Sequence, residues 1–182
     1  MPTLDEIDEA TADATYGAIG RFVARFGGLE STLRLHLAEE IKLDLHYATI
    51  VVTHDFALLC TAVFKVFSKT LETKEERDRL KILISKCRAL NDIRVKVVHG
   101  QWFADFEGGT VAHVSRRKLE TEDTKDMAKL LIKATDEIRA VFVELQLLLS
   151  KFRGELGTPP DFELLIKKRL GELKAMVGEL PE

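Results

Sequence analysis

Leu90-Asn91-Asp92-Ile93-Arg94-Val95-Lys96-Val97-Val98-His99-Gly100-Gln101-Trp102 runs without a helix breaker as far as Gly100. Leu90 and Val97 extend an apolar row that rises from Leu80, Leu83 and Cys87 at the three-and-four spacing of one helical face. Thr73, followed by Glu75 and Glu76, supplies an N-cap and first-turn acids for that helix, and Gly100 is a natural stop. The expectation is one long helix from about Thr73 to Gly100 that carries an Arg and a His, four residues between them, at its C-terminal end.

Beyond Gly100 the period changes. Trp102 to Phe106 and Thr110 to Val114 alternate apolar with polar residues around Glu107-Gly108-Gly109, the pattern of a small β-hairpin. Thr121 or Asp123 then reads as the start of a further helix through Met127, Leu131, Ile138 and Leu145 to about Phe152. Before Thr73, the spacing of Phe22, Phe26, Leu29, Leu33 and Leu37 predicts a first helix from Thr3 to about Lys42. Gly27-Gly28 costs that helix about 2 kcal/mol relative to alanines, so either it bends there or another backbone packs closely; a continuous helix is expected. After a turn at Asp44 to His46, an apolar second helix is expected through Ile50, Phe56, Leu59, Val63 and Phe67 to about Leu71. Arg153 to Pro160 holds two Gly and two Pro and reads as a linker, with Asp161 capping a last amphipathic helix. The expected fold class is all-α. Residues 1–152 form an antiparallel up-and-down four-helix bundle with the hairpin after the third helix, residues 153–160 a linker, and residues 161–182 a C-terminal helix.

Bulk properties narrow the function classes. A chain of 182 residues with 46% hydrophobic content can build one core without disulfide staples. A net charge of -3 argues against coating nucleic acid by bulk electrostatics, though not against a local basic patch. Cys60 and Cys87 show no metal-type spacing and fall on apolar faces, as core thiols do. His36, His46 and His54 match no metalloprotein pattern, and no Gly-rich phosphate loop or Ser-His-Asp arrangement is visible, so neither metal nor cofactor is expected. The acidic N-terminus has no apolar signal core, and no apolar run approaches the roughly 20 residues needed to span a bilayer. A cytoplasmic, membrane-free protein is expected.

The Arg94-x4-His99 pair at the end of the third helix, with Gly100-Gln101-Trp102 after it, resembles the motif of the HEPN superfamily. The first helix with Phe22, Phe26, Leu29, Glu30 and Leu33, the apolar second helix and the long fourth helix extend the resemblance over residues 15 to 152. The resemblance implies a compact four-helix bundle, usually a homodimer, and a metal-independent endoribonuclease or RNA-binding protein of the toxin and phage-defence kind. A cognate antitoxin or regulatory protein is implied as a partner besides RNA. One position departs from the family motif, which usually has a polar residue after the Arg where this chain has Val95. That departure opens an alternative, a catalytically inactive dimeric interaction or nucleotide-sensing module.

The residues themselves suit such chemistry. Histidine moves protons near neutral pH, and an arginine clamps phosphate oxygens while charge develops on phosphorus. His99 is the candidate general acid or base toward a ribose 2'-hydroxyl or leaving oxygen, and Arg94 the candidate phosphate ligand; the product would be a 2',3'-cyclic phosphate. Five residues along an ideal helix set the two about 140° apart, so one helix cannot join them and a two-fold dimer with a composite site is the natural resolution. Glu30 falls on an apolar stripe and needs a cationic partner, for which Arg94 is one candidate and another Lys or Arg the plainer one. Asn91 and Asp92 supply polar groups beside the motif. Lys86, Arg88 and Lys96 on the same helix, with Arg116 and Arg117 after the hairpin, are candidate RNA contacts, against the ordinary reading of a basic run as a solvated face. His99 has an ordinary reading too, as a helix-terminal cation facing the dipole's negative end.

Overall fold

A computed structural model describes residues 9–103, 109–114 and 121–150. The chain divides into two compact units, Met1–Leu148 and Leu149–Glu182. The expected linker at 153–160 and the C-terminal helix at 161–182 lie outside the described residues, as do Arg116 and Arg117.

The first unit is mostly helical, with a small antiparallel sheet. Helix α1 spans Glu9–Glu40, α2 Leu45–Val51, α3 Phe56–Thr70, α4 Lys74–His99 and α5 Met127–Ser150. Strands β1 (Gln101–Phe103), β2 (Thr110–Val114) and β3 (Thr121–Thr124) lie between α4 and α5 in the order β1-β2-β3. Among the described residues no helix is long and apolar enough to cross a membrane.

The expected first helix is continuous through Gly27-Gly28. An added Cβ at either glycine meets nothing within 4 Å, so no neighbouring backbone explains the pair. The row Phe22, Leu29 and Leu33 is fully buried at 0% exposure, which places the core along this face. Helix α1 packs on α3 and α4, and α3 on α4. Burial of these rows supplies the main stabilisation, about 25 cal/mol for each Å² of apolar surface removed from water.

Two elements differ from the sequence expectation. The second helix is not one piece: it breaks after Val51 and restarts at Phe56, where the Asp55 carboxylate accepts from Leu58 N at 2.9 Å as an N-cap. A capping Asp satisfies an otherwise orphaned N–H, and this outweighs the apolar periodicity that runs across the break. Thr121 and Asp123 do not start a helix either. They belong to β3, which pairs Val114↔Thr121 and Ala112↔Asp123 with β2. Asp126, at φ 52°, then turns the chain into α5, and Met127 N donates to Gly109 O at 3.0 Å. Cross-strand pairing uses the β-branched threonines and overrides their capping tendency.

The hairpin itself is present, with Trp102 opposite Val111. Helix α4 keeps both of its expected ends. Thr73 and Glu76 form a reciprocal capping box, with bonds of 3.2 Å each way, and Gly100 N donates to Lys96 O at 2.8 Å. Gly100 is required by space, since a Cβ there would collide with Val111 and with the Lys96 carbonyl. Gly109 is required by conformation and space together, with φ 84° and the buried Thr15 against it.

Candidate functional site

Arg94 sits on α4 and lines a cavity of about 300 Å³ between α1, the loop before α3, and α4. Glu30 of α1, His54 of the loop and Asn91 of α4 share the cavity, with Phe26 and Phe56 beside them. The two phenyl rings lie 4.7 Å apart at 45°, an aromatic contact that ties α1 to the start of α3. Asn91 and Arg94 are three residues apart and so project from one side of α4.

Glu30 has its cation, and it is Arg34. Arg34 Nη2 donates to Glu30 Oε1 at 2.5 Å across one turn of α1. The same guanidinium reaches across to the loop, where Arg34 Nη1 lies 3.1 Å from His54 Nδ1. Arginine carries donors only, so His54 Nδ1 is the acceptor and the ring proton of this tautomer resides on Nε2. The third donor, Arg34 Nε, is buried and makes no hydrogen bond among the described residues. Arg94 is half-buried and, among the described residues, has neither an ion pair nor a side-chain hydrogen bond. The plainer expectation for Glu30 therefore describes its pairing, yet Glu30 and Arg94 still face the same space.

His99 stands apart from this group. It is exposed at the last position of α4, just before the Gly100 cap, and does not line the cavity. Within one chain the fold thus joins Arg94 with Glu30 and Asn91, but not with His99. Asp92 is exposed on α4 and also lies outside the cavity. Trp102 packs on the helix end, with Nε1 donating to Val97 O at 2.9 Å.

The basic run of α4 is largely engaged. Lys86 pairs with Glu137 of α5 at 2.6 Å, and Arg79 pairs with Glu144 of α5. Arg77 Nη1 donates to the Leu71 carbonyl at 2.7 Å, satisfying the end of α3. Arg88 is exposed and donates to Thr61 Oγ1 at 2.8 Å, and Lys96 is half-buried. Pairs this exposed contribute at most about 1 kcal/mol each. They nonetheless show α4 charges facing α5 rather than an open groove at Arg79 and Lys86.

Cys60 of α3 and Cys87 of α4 are both free and fully buried at 0% exposure. A hydrogen bond from Cys87, aided by the Arg88 charge, lowers the Cys60 thiol below its ordinary value against the opposing effect of burial. The same bond and burial push Cys87 well above the ordinary thiol range. Among the described residues no three His, Cys, Asp or Glu side chains gather so as to hold a metal ion.

His54 is the cavity residue that the sequence did not single out. Its signal was Asp55 immediately before Phe56, an N-cap that ends one helix and lifts the preceding residue into a loop. No protein family, curated protein or solved structure matches this chain.

Proposed function

We propose that the protein is a HEPN-like antiparallel four-helix bundle that acts on RNA as a homodimer, with Arg94 as phosphate ligand and His99 as proton-transfer group of a metal-independent endoribonuclease. The observation that carries this reading is Arg94 itself, a half-buried guanidinium with no partner in its own chain among the described residues, on a cavity wall. Leaving such a charge unpaired costs stability, which an anionic ligand recovers. His99, exposed about 7.5 Å further along the helix axis, is accessible to a second chain or to RNA. A two-fold axis near the end of α4 would bring both motifs into one cleft.

In this reading His99 takes the proton of a ribose 2'-hydroxyl, which then attacks the adjacent phosphorus. Arg94 holds the charge developing on the non-bridging oxygens, and the 5'-oxygen leaves with a proton donated by the partner's His99, protonated at the start. Products would carry 2',3'-cyclic phosphate and 5'-hydroxyl ends. The test is incubation of the purified chain with labelled RNA in EDTA, beside His99→Ala and Arg94→Ala. Cleavage to cyclic phosphates by the wild type alone is the expected result. Cleavage that persists in both variants would end the proposal.

Val95 favours a second reading. A half-buried valine stands where the family motif places a polar side chain, which suits a non-catalytic interaction module built on the same dimer. RNA binding without cleavage, abolished by Arg94→Ala and indifferent to His99→Ala, is its expected signature.

A further inference from the structure

We propose that the cavity beside Arg94 is a single-chain binding site for a tetrahedral oxyanion, a phosphoryl group above all, in which His54 is the second donor and Glu30 and Arg34 hold His54 in place. This deepens the proposed function and rests on it only in taking the anion to be a phosphate.

The donors at the cavity point to an anion because both carboxylates there already have partners within the chain. Glu30 is held by Arg34, and the Asp55 carboxylate accepts from Leu58 N as the cap of α3. The Arg94 guanidinium has no such partner among the described residues, so its donors are the ones left for a ligand. Two further groups are able to donate. His54, with Nδ1 occupied by Arg34, is left with Nε2–H as its donor. Asn91 brings an amide on the same side of α4 as Arg94.

Glu30, Arg34 and His54 form a linear relay from α1 to the loop, with bonds of 2.5 and 3.1 Å. Such an arrangement fixes which ring nitrogen of His54 bears the proton, as an outer partner does for a metal-bound or catalytic histidine. Arg34 and Glu30 are therefore positioning residues. The volume, about 300 Å³, lies at the small end of ligand pockets and suits one phosphoryl group with its immediate substituent.

The test uses the full-length chain, labelled with ¹⁵N at histidine and arginine, titrated with inorganic phosphate and followed by NMR. His54 Nε2–H and Arg94 Nε–H are expected to shift together, saturably and with one midpoint. Arg94→Gln should weaken that midpoint by about tenfold or more, the loss of one charged hydrogen bond. Arg34→Gln should spread His54 over both tautomers and weaken phosphate as well. If that variant does not fold, Arg34→Lys keeps a cation for Glu30 but loses the forked donor to His54, and is read the same way. Lys133→Gln, which alters an exposed cation of α5, should leave the midpoint unchanged. The proposal is overturned by the absence of a saturable shift at His54, by a shift at His99 in its place, or by an unchanged midpoint in Arg94→Gln. RNA cleavage without any phosphate response at His54 would remove this site and leave the endoribonuclease reading. A phosphate response without RNA cleavage would do the reverse.

Discussion

Gly100 carries two duties at one position: it closes α4 through its N–H to Lys96 O, and it lets β2 pass close by at Val111. Gly100→Ala has no room for its methyl group, because both obstacles are firm, one a carbonyl and the other a fully buried valine. The expected cost is about 1–3 kcal/mol, read from the urea midpoint of the variant against wild type. Had the sequence alone been used, Gly100 would have been understood as a helix stop only, since the approach of β2 is a matter of packing. The pairing of Glu30 was closer to hand. Its i,i+4 spacing to Arg34 is written in the chain, whereas the reach of Arg34 to His54 joins residues 20 apart and depends on how the loop folds back. His54 reads in the sequence no differently from His36 and His46, because a histidine without metal-type spacing carries little information until its neighbours are placed.

The elements divide between those that announce their ends locally and those fixed by partners. Helix α4 was legible because Thr73, Glu76 and Gly100 act through bonds no more than four residues long. Strand β3 was not, because Thr-Glu-Asp-Thr favours a helix start in isolation and becomes a strand only against β2. The break before α3 lies in between: Asp55 caps it through a bond three residues long, but the apolar run on both sides of it reads as one helix. Asp55→Ala should therefore lower stability by about 1 kcal/mol in chemical denaturation and disturb the ring resonances of His54 beside it. The contact between α3 and α4 at the two thiols has a pH signature. The folded pKa of Cys87 is raised by its bond to Cys60 and by burial, so the unfolded chain gives up this proton first. Stability from this group is complete below the unfolded thiol pKa and declines as pH rises above it. Melting temperature should fall only as pH rises above the ordinary thiol value of about 8.5, where the opposing gain from the lowered Cys60 is complete, with a shallower slope in Cys87→Ala; equal slopes would mean that the thiol pair is not responsible.

At the scale of the whole molecule, the helical class was evident from composition and periodicity, while the arrangement of the Arg94 cavity depended on three elements distant in sequence. The division at Leu148 makes a further prediction. Deleting residues 154–182 should leave a cooperative melt; loss of cooperativity would place the terminal segment in the main core. The uninterrupted course of α1 has a consequence in time rather than in space. Gly27 and Gly28 carry no side chain, and a Cβ at either would meet open space, yet Phe26 and Glu30 on either side of them form part of the cavity wall. The outer side of this turn is thus unrestrained by side-chain packing although its inner side holds Phe26 and Leu29, and brief openings of the helix should begin at the two glycines. Deuterium should replace the amide protons of Gly27 and Gly28 sooner than those of the fully buried Phe22 and Leu29, so that the outer face of α1 breathes while its apolar row stays closed.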